Sequence, residues 1–133
     1  MPPVSIRRVD DLIWEHGSDD APDIQADHRA GRCFHHYGTE SSPQLFEVKL
    51  RPNQTVPPHA HEHNEIIYIL GGEMRLGSSV LRPGSSISIR GETVYGFSAG
   101  GEGVHFLNFR PCLEVGSLTA DEINARRGRA QKD

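Results

Sequence analysis

Cysteine is scarce in this chain, basic charge is in deficit and long apolar runs are missing, and each absence removes a class of protein. Cys33 and Cys112 are the two cysteines, far apart and without C-x-x-C spacing. A disulfide framework therefore has no support, and both are expected to be reduced core residues without a chemical role. Lys plus Arg number 14 against 18 Asp plus Glu, a formal charge of −4. That balance offers no general attraction to phosphates, so nucleic acid is not an expected partner. The opening MPPVSIRRVDDLIWEHG holds two arginines but no apolar run of signal-peptide length. No stretch approaches the ~20 apolar residues of a membrane span, and the expectation is a cytoplasmic protein with no membrane partner.

What is present points to short strands. A length of 133 residues suits one hydrophobic core, and 14 Gly and 9 Pro scattered along it favour many short elements joined by turns, an all-β domain. Three stretches of that one domain can be read: an N-terminal arm with strands (1–43), a strand-rich body (44–112), and a helix with a tail (113–133). Residues 17–31 are a polar loop between a strand at Asp11–Glu15 and another at Cys33–Tyr37. QLFEVKLR, Gln44 to Arg51, alternates as a half-buried strand does. Pro52, Pro57 and Pro58 then end it, because proline cannot donate to a sheet ladder.

Glu65–Leu70 (EIIYIL) is β-branched and aromatic and runs into Gly71-Gly72, read as a two-residue hairpin turn with a return strand at Glu73–Leu76. A turn at 77–79, a strand at Val80–Arg82, a Pro83-Gly84 turn, a segment Ser86–Arg90 and a last strand Val104–Arg110 complete the meander. No internal repeat or low-complexity segment appears. Near the end, Thr119 as N-cap with Glu122 three residues on forms a capping box, Leu118 and Ile123 stand where a hydrophobic staple would pack, and a short helix is predicted.

The segment that carries chemistry is Pro57-Pro58-His59-Ala60-His61-Glu62-His63-Asn64-Glu65. Residues two apart in a strand point the same way, so the imidazoles of His59 and His61 can converge on a metal ion, and Glu65 has the same parity. Glu65 shares its face with Ile67 and Ile69, while Ile66, Tyr68 and Leu70 take the other. A carboxylate entering an apolar interior is costly unless paired, and a cation on two neutral imidazoles would supply the missing charge. A mixed imidazole and carboxylate set suits one divalent transition metal, Fe, Mn, Ni or Zn, better than Ca²⁺.

With this spacing the sequence resembles the cupin superfamily. Its first motif is met by His59, His61, Glu65 and Gly72. Its second resembles Pro83-Gly84 through Tyr95-Gly96-Phe97, with Tyr95 where a fourth histidine ligand is usual and Arg90 where proline is common. The resemblance covers about residues 44–110 and implies a single-domain cupin-type jelly roll or β-barrel with the metal at its mouth. It leaves the fourth ligand open among the Tyr95 phenolate, His63, His105 and water. Water gives a two-histidine, one-carboxylate face with open positions. The unperturbed phenol pKa of ~10 favours that arrangement, with Tyr95 as a hydrogen-bond donor or acid to substrate.

His105 shares a face with Leu107 and Phe109, and as the mostly apolar one that face is expected inside. Lys49 and Lys132 apart, the 14 basic residues are arginines. One of them turned inward would read a substrate carboxylate, and Arg90 is the candidate. Trp14 and Tyr68 are expected to pack between sheets or subunits. The resemblance implies a metal-dependent enzyme of oxygenase, isomerase, lyase or cyclase type acting on a small oxygenated or carboxylated molecule. The alternative is a non-catalytic metal-binding or ligand-sensing module. A homodimer touching through the arm around Leu12–Trp14 is expected.

Overall fold

The structure, a computed structural model, describes residues 3–16, 30–114 and 116–132. The alternating segments become antiparallel strands: β1 (Glu15–His16), β2 (Gly31–His36), β3 (Gln44–Leu50), β4 (Thr55–His59), β5 (Glu65–Leu76), β6 (Ser79–Leu81), β7 (Ser86–Ile89) and β8 (Tyr95–Arg110), followed by the helix α1 (Ala120–Lys132). The expected loop at 17–31, apart from Ala30 and Gly31, lies outside the described residues. No described helix is long and apolar enough to cross a membrane.

The strands form one sheet in the order β1-β2-β3-β8-β5-β6, with β4 also on β8 and β7 also on β5. β5 and β8 are the spine, paired from Ile66↔Phe109 to Arg75↔Ser98. Each changes its other partner along its length: β8 carries β4 at Tyr95–Ser98 and β3 at Val104–Arg110, while β5 carries β7 on Glu65–Tyr68 and β6 on Met74–Leu76. That exchange curls the sheet into a jelly-roll-like all-β body.

Gly71-Gly72 is therefore not a hairpin turn. β5 runs through it without a break, and the register with β8 shifts on either side. Gly72 has φ +70°, and a Cβ there would lie 2.2 Å from the Gly103 carbonyl oxygen. The positive φ that a turn could use is spent on a bulge where two backbones meet. β8 likewise begins at Tyr95 rather than Val104. Pro57 and Pro58 do not end a strand but lie inside β4, between the paired positions Val56↔Phe97 and His59↔Tyr95, where the ladder is irregular and needs no proline donor. The expected strand at 11–15 is a 3₁₀ turn, Val9–Asp11, because Asp11 accepts the Arg8 amide (3.1 Å), and only Glu15–His16 pairs.

Ile67, Ile69, Met74, Ile89, Phe97, Ala99, Val104 and Phe106 form the core. The parity of β5 is as expected: Glu65, Ile67 and Ile69 are buried, and Ile66, Tyr68 and Leu70 are exposed. That of β8 is the reverse of expectation. Phe106, Asn108 and Arg110 point inward, and His105 stands on the opposite face. At the helix start Thr119 Oγ1 accepts the Glu122 amide (3.1 Å) and donates to the Glu122 carboxylate (3.3 Å). Ile123 is fully buried, an anchor worth about 1.5–3 kcal/mol.

Candidate functional site

Curling leaves a cavity of about 860 Å³ beside the core, walled by Phe34, Phe46, Val48 and Leu50 and reached by His59, His61, Arg110 and Glu114. His59 ends β4, and His61 follows Ala60, whose backbone bridges to Leu118. Their rings lie 4.9 Å apart at 81°. Each has Nδ1 against a backbone carbonyl, Pro57 at 2.9 Å for His59 and Gly116 at 3.0 Å for His61. A carbonyl only accepts, so both rings donate from Nδ1, and the Arg110 guanidinium, itself a donor, finds a lone pair on Nε2 of His61. Burial first, and the adjacent Arg110 guanidinium second, push the His61 pKa down, which keeps that ring neutral.

Glu65 opens β5 and is buried. The Tyr95 hydroxyl donates to its Oε1, while Asn108 Nδ2 (3.1 Å) and Arg110 Nε (3.3 Å) donate to Oε2. Burial, followed by the negative charge of Glu65, pushes the Tyr95 phenol well above its ordinary value, so Tyr95 is a neutral donor. Its ring lies 4.8 Å from that of His59 and stacks on Phe97.

Arg110 is the residue sequence reasoning missed. Its Nη1 donates to Gln44 Oε1 and its Nη2 to His61 Nε2, both at 3.3 Å, and Nε lies 3.4 Å from Glu114 Oε2. The inward arginine is thus Arg110, at the end of β8, and Arg90 is exposed. The available signal was electrostatic, since a carboxylate buried at Glu65 requires a cation on a neighbouring strand. Glu114 also accepts the amides of Glu62 (2.5 Å) and His63 (3.3 Å). Its Oε2 and Nδ1 of His63 are buried and have no hydrogen-bond partner among the described residues. His105 is remote from the cavity group, and its Nε2 donates to the Glu47 carboxylate on the outer face at 2.7 Å.

The arrangement meets a known family at this point. The sequence model of the cupin domain matches residues 46–109, from β3 to the last but one residue of β8. Residues 46–109 are a cupin domain. The cupin body is similar to the polyketide cyclase RemF from Streptomyces resistomycificus, at 26% identity and TM-score 0.61 over 87% of this chain and 86% of that one. It is also similar to an RmlC-like cupin protein from Ralstonia eutropha (13% identity, TM-score 0.67, 96% and 87% of the two chains) and to the DMSP lyase DddQ from Ruegeria pomeroyi (18%, TM-score 0.61, 84% and 62%). No curated protein matches in sequence.

Cupin domains commonly bind a metal, and the cavity group fits one at its imidazole end. Both rings are held at Nδ1 by carbonyls, as metal-binding histidines are, while Nε2 of His61 accepts from Arg110 Nη2, a bond an ion would have to displace. Two buried carboxylates, Glu65 and Glu114, share the one guanidinium of Arg110, leaving negative charge for a further cation. At the carboxylate end the fit is competitive, because both oxygens of Glu65 are engaged by the chain itself. Among the described residues, the His, Cys, Asp and Glu ligand atoms gathered within 4.8 Å of one another are those of Cys33, His35 and Glu47.

Proposed function

We propose that this cupin is a metal-dependent enzyme acting on a small oxygenated or carboxylated organic molecule in the cavity, by lyase, isomerase, cyclase or oxygenase chemistry. One divalent transition ion, Fe, Mn, Ni or Zn, would be held by His59 and His61, with Glu65 as third donor in competition with Arg110. The observation that carries the reading is the matched pair of imidazoles, each with Nδ1 against a backbone carbonyl. The likeness to a polyketide cyclase supports the enzymatic side of it. Bound there, the ion supplies Lewis acidity to a substrate oxygen.

The chain's own residues do the rest. Tyr95 holds its proton and offers it as a hydrogen bond, to Glu65 in the free protein and to a substrate oxygen in its place. Phe46, Val48 and Leu50 exclude water along the wall, which strengthens every polar contact at the mouth. Gln44 and Glu65 hold Arg110 in position, so its charge is already committed and does not select the substrate.

Reconstitution with each metal, followed by metal analysis and turnover on a panel of small hydroxy and keto acids, tests the reading. About one ion per cavity is expected, retention should fall sharply in His59→Ala and His61→Ala, and Tyr95→Phe should keep the ion yet lose ~10²–10⁴ in turnover. Ligand uptake without turnover in the loaded protein would make it a binding or sensing module instead. Full retention in both histidine variants would remove the assignment.

A homodimer belongs to the same proposal. Ile66, Tyr68, Leu70 and Phe109 form an exposed apolar row on the outside of β5 and β8, a surface that a second copy would cover. Trp14 is occupied within its own chain, with its ring 5.8 Å from that of His105 and under the Lys49 ammonium. Sedimentation should give a dimer that Tyr68→Glu dissociates. A monomer at working concentration would count against it.

A further inference from the structure

On the outer face of β2, β3 and β8, away from the cavity, strand register assembles a second group of ligand-type side chains. Cys33 on β2 stands directly opposite Glu47 on β3, and Lys49, two residues along β3 from Glu47, is opposite His105 on β8. His35 Nε2 lies 2.6 Å from Glu47 Oε2, and His105 Nε2 lies 2.7 Å from Glu47 Oε1. Ligand atoms of Cys33, His35 and Glu47 are all within 4.8 Å of one another. A cysteine serving only as apolar filler sits among aliphatic groups, but this buried thiol sits against an imidazole and a carboxylate. The group is reachable, since the side chains of His35 and His105 are 21% and 30% exposed.

We propose that Cys33, His35, Glu47 and His105 form a second metal site, for a Zn²⁺-class ion that takes thiolate and imidazole together. The donor set already gathered is one sulfur, one imidazole and one carboxylate, and the His105 imidazole, which so far touches only Glu47, would turn in as the fourth, all of them types zinc takes in tetrahedral sites. Charge closes as well: a divalent cation, a thiolate formed by release of the Cys33 proton to solvent, and the Glu47 carboxylate sum to zero, which suits a half-buried position. Without the ion, burial and the charge of Glu47 hold the thiol in its protonated form. The N-terminal arm roofs the group. The Trp14 ring meets that of His105 edge-on.

The test uses the full chain carrying His59→Ala and His61→Ala, which removes the imidazoles of the cavity group, and titrates it with CoCl₂. One ion per chain should bind with a thiolate-to-cobalt charge-transfer band in the near ultraviolet and quench the fluorescence of Trp14, the single tryptophan. Cys33→Ser should abolish the band, Glu47→Gln and His105→Ala should weaken binding, and Cys112→Ser should change nothing. If Cys33→Ser fails to fold, as judged by circular dichroism, the His35→Ala/His105→Ala pair takes its place and should likewise remove the band. No charge-transfer band, or one that survives Cys33→Ser and disappears with Cys112→Ser, overturns the site. The cavity group contains no sulfur, so its own success or failure leaves this result readable.

Discussion

Glu65 and Glu47 stand on opposite faces of the same curled sheet, both largely withdrawn from water, and the chain neutralises them in opposite ways. Glu65 faces a guanidinium, which cannot lose its proton, backed by a phenol and an amide. Glu47 faces two imidazoles, cations only when protonated. Burial raises the pKa of Glu47, and its hydrogen bonds to His35 and His105 outweigh that and bring it below the ordinary carboxylate value. A permanent counter-charge builds a fixed network that an incoming ion must compete with. Conditional counter-charges leave a carboxylate whose partners can exchange it for a metal.

Substitutions can break that contrast. Arg110→Met should be the most damaging, costing about 3–5 kcal/mol in urea unfolding, because it strands Glu65 as an uncompensated buried charge. Adding Glu65→Gln should recover much of the loss. A double variant no more stable than the single would mean that Glu65 is not what Arg110 neutralises. Glu47→Gln should cost less, about 1–3 kcal/mol, the scale of hydrogen bonds to a charged group. A loss equal to that of Arg110→Met would erase the distinction. Smallest should be His35→Ala, about 1 kcal/mol by thermal unfolding, since His105 still pairs with Glu47. A larger effect than Glu47→Gln would show the two imidazoles are not interchangeable partners.

Much of the fold was legible where one strand carries its own pattern. QLFEVKLR and EIIYIL show burial by alternation, and Thr119 with Glu122 announces the helix. The cavity histidines were legible too, because spacing alone puts His59 and His61 on one face. What depends on two strands at once was not. Gly71-Gly72 supplies the same positive φ to a turn or to a bulge, and only the neighbouring Gly103 decides between them. On β8 an apolar pattern argument chose Leu107 and Phe109 as the inner face. The true inner face holds Asn108 and Arg110 because Glu65, on the adjoining strand, needs them. The outer group of Cys33, His35, Glu47 and His105 is invisible in any single segment, since register across three strands assembles it.

The strap after β8 carries a last consequence. The family match stops at residue 109, yet the counter-ion of the interior, Arg110, comes next. Glu114 and the Gly116 carbonyl that sets the proton position on His61 follow within a few residues. A graft or minimal fragment cut at the family boundary would transplant the architecture without its electrostatic settings: the histidine would be free to adopt either tautomer, and the buried acid would have lost its base. Portability of this scaffold therefore ends at the strap, and a designer who wants the chemistry must carry residues 110–118 with it.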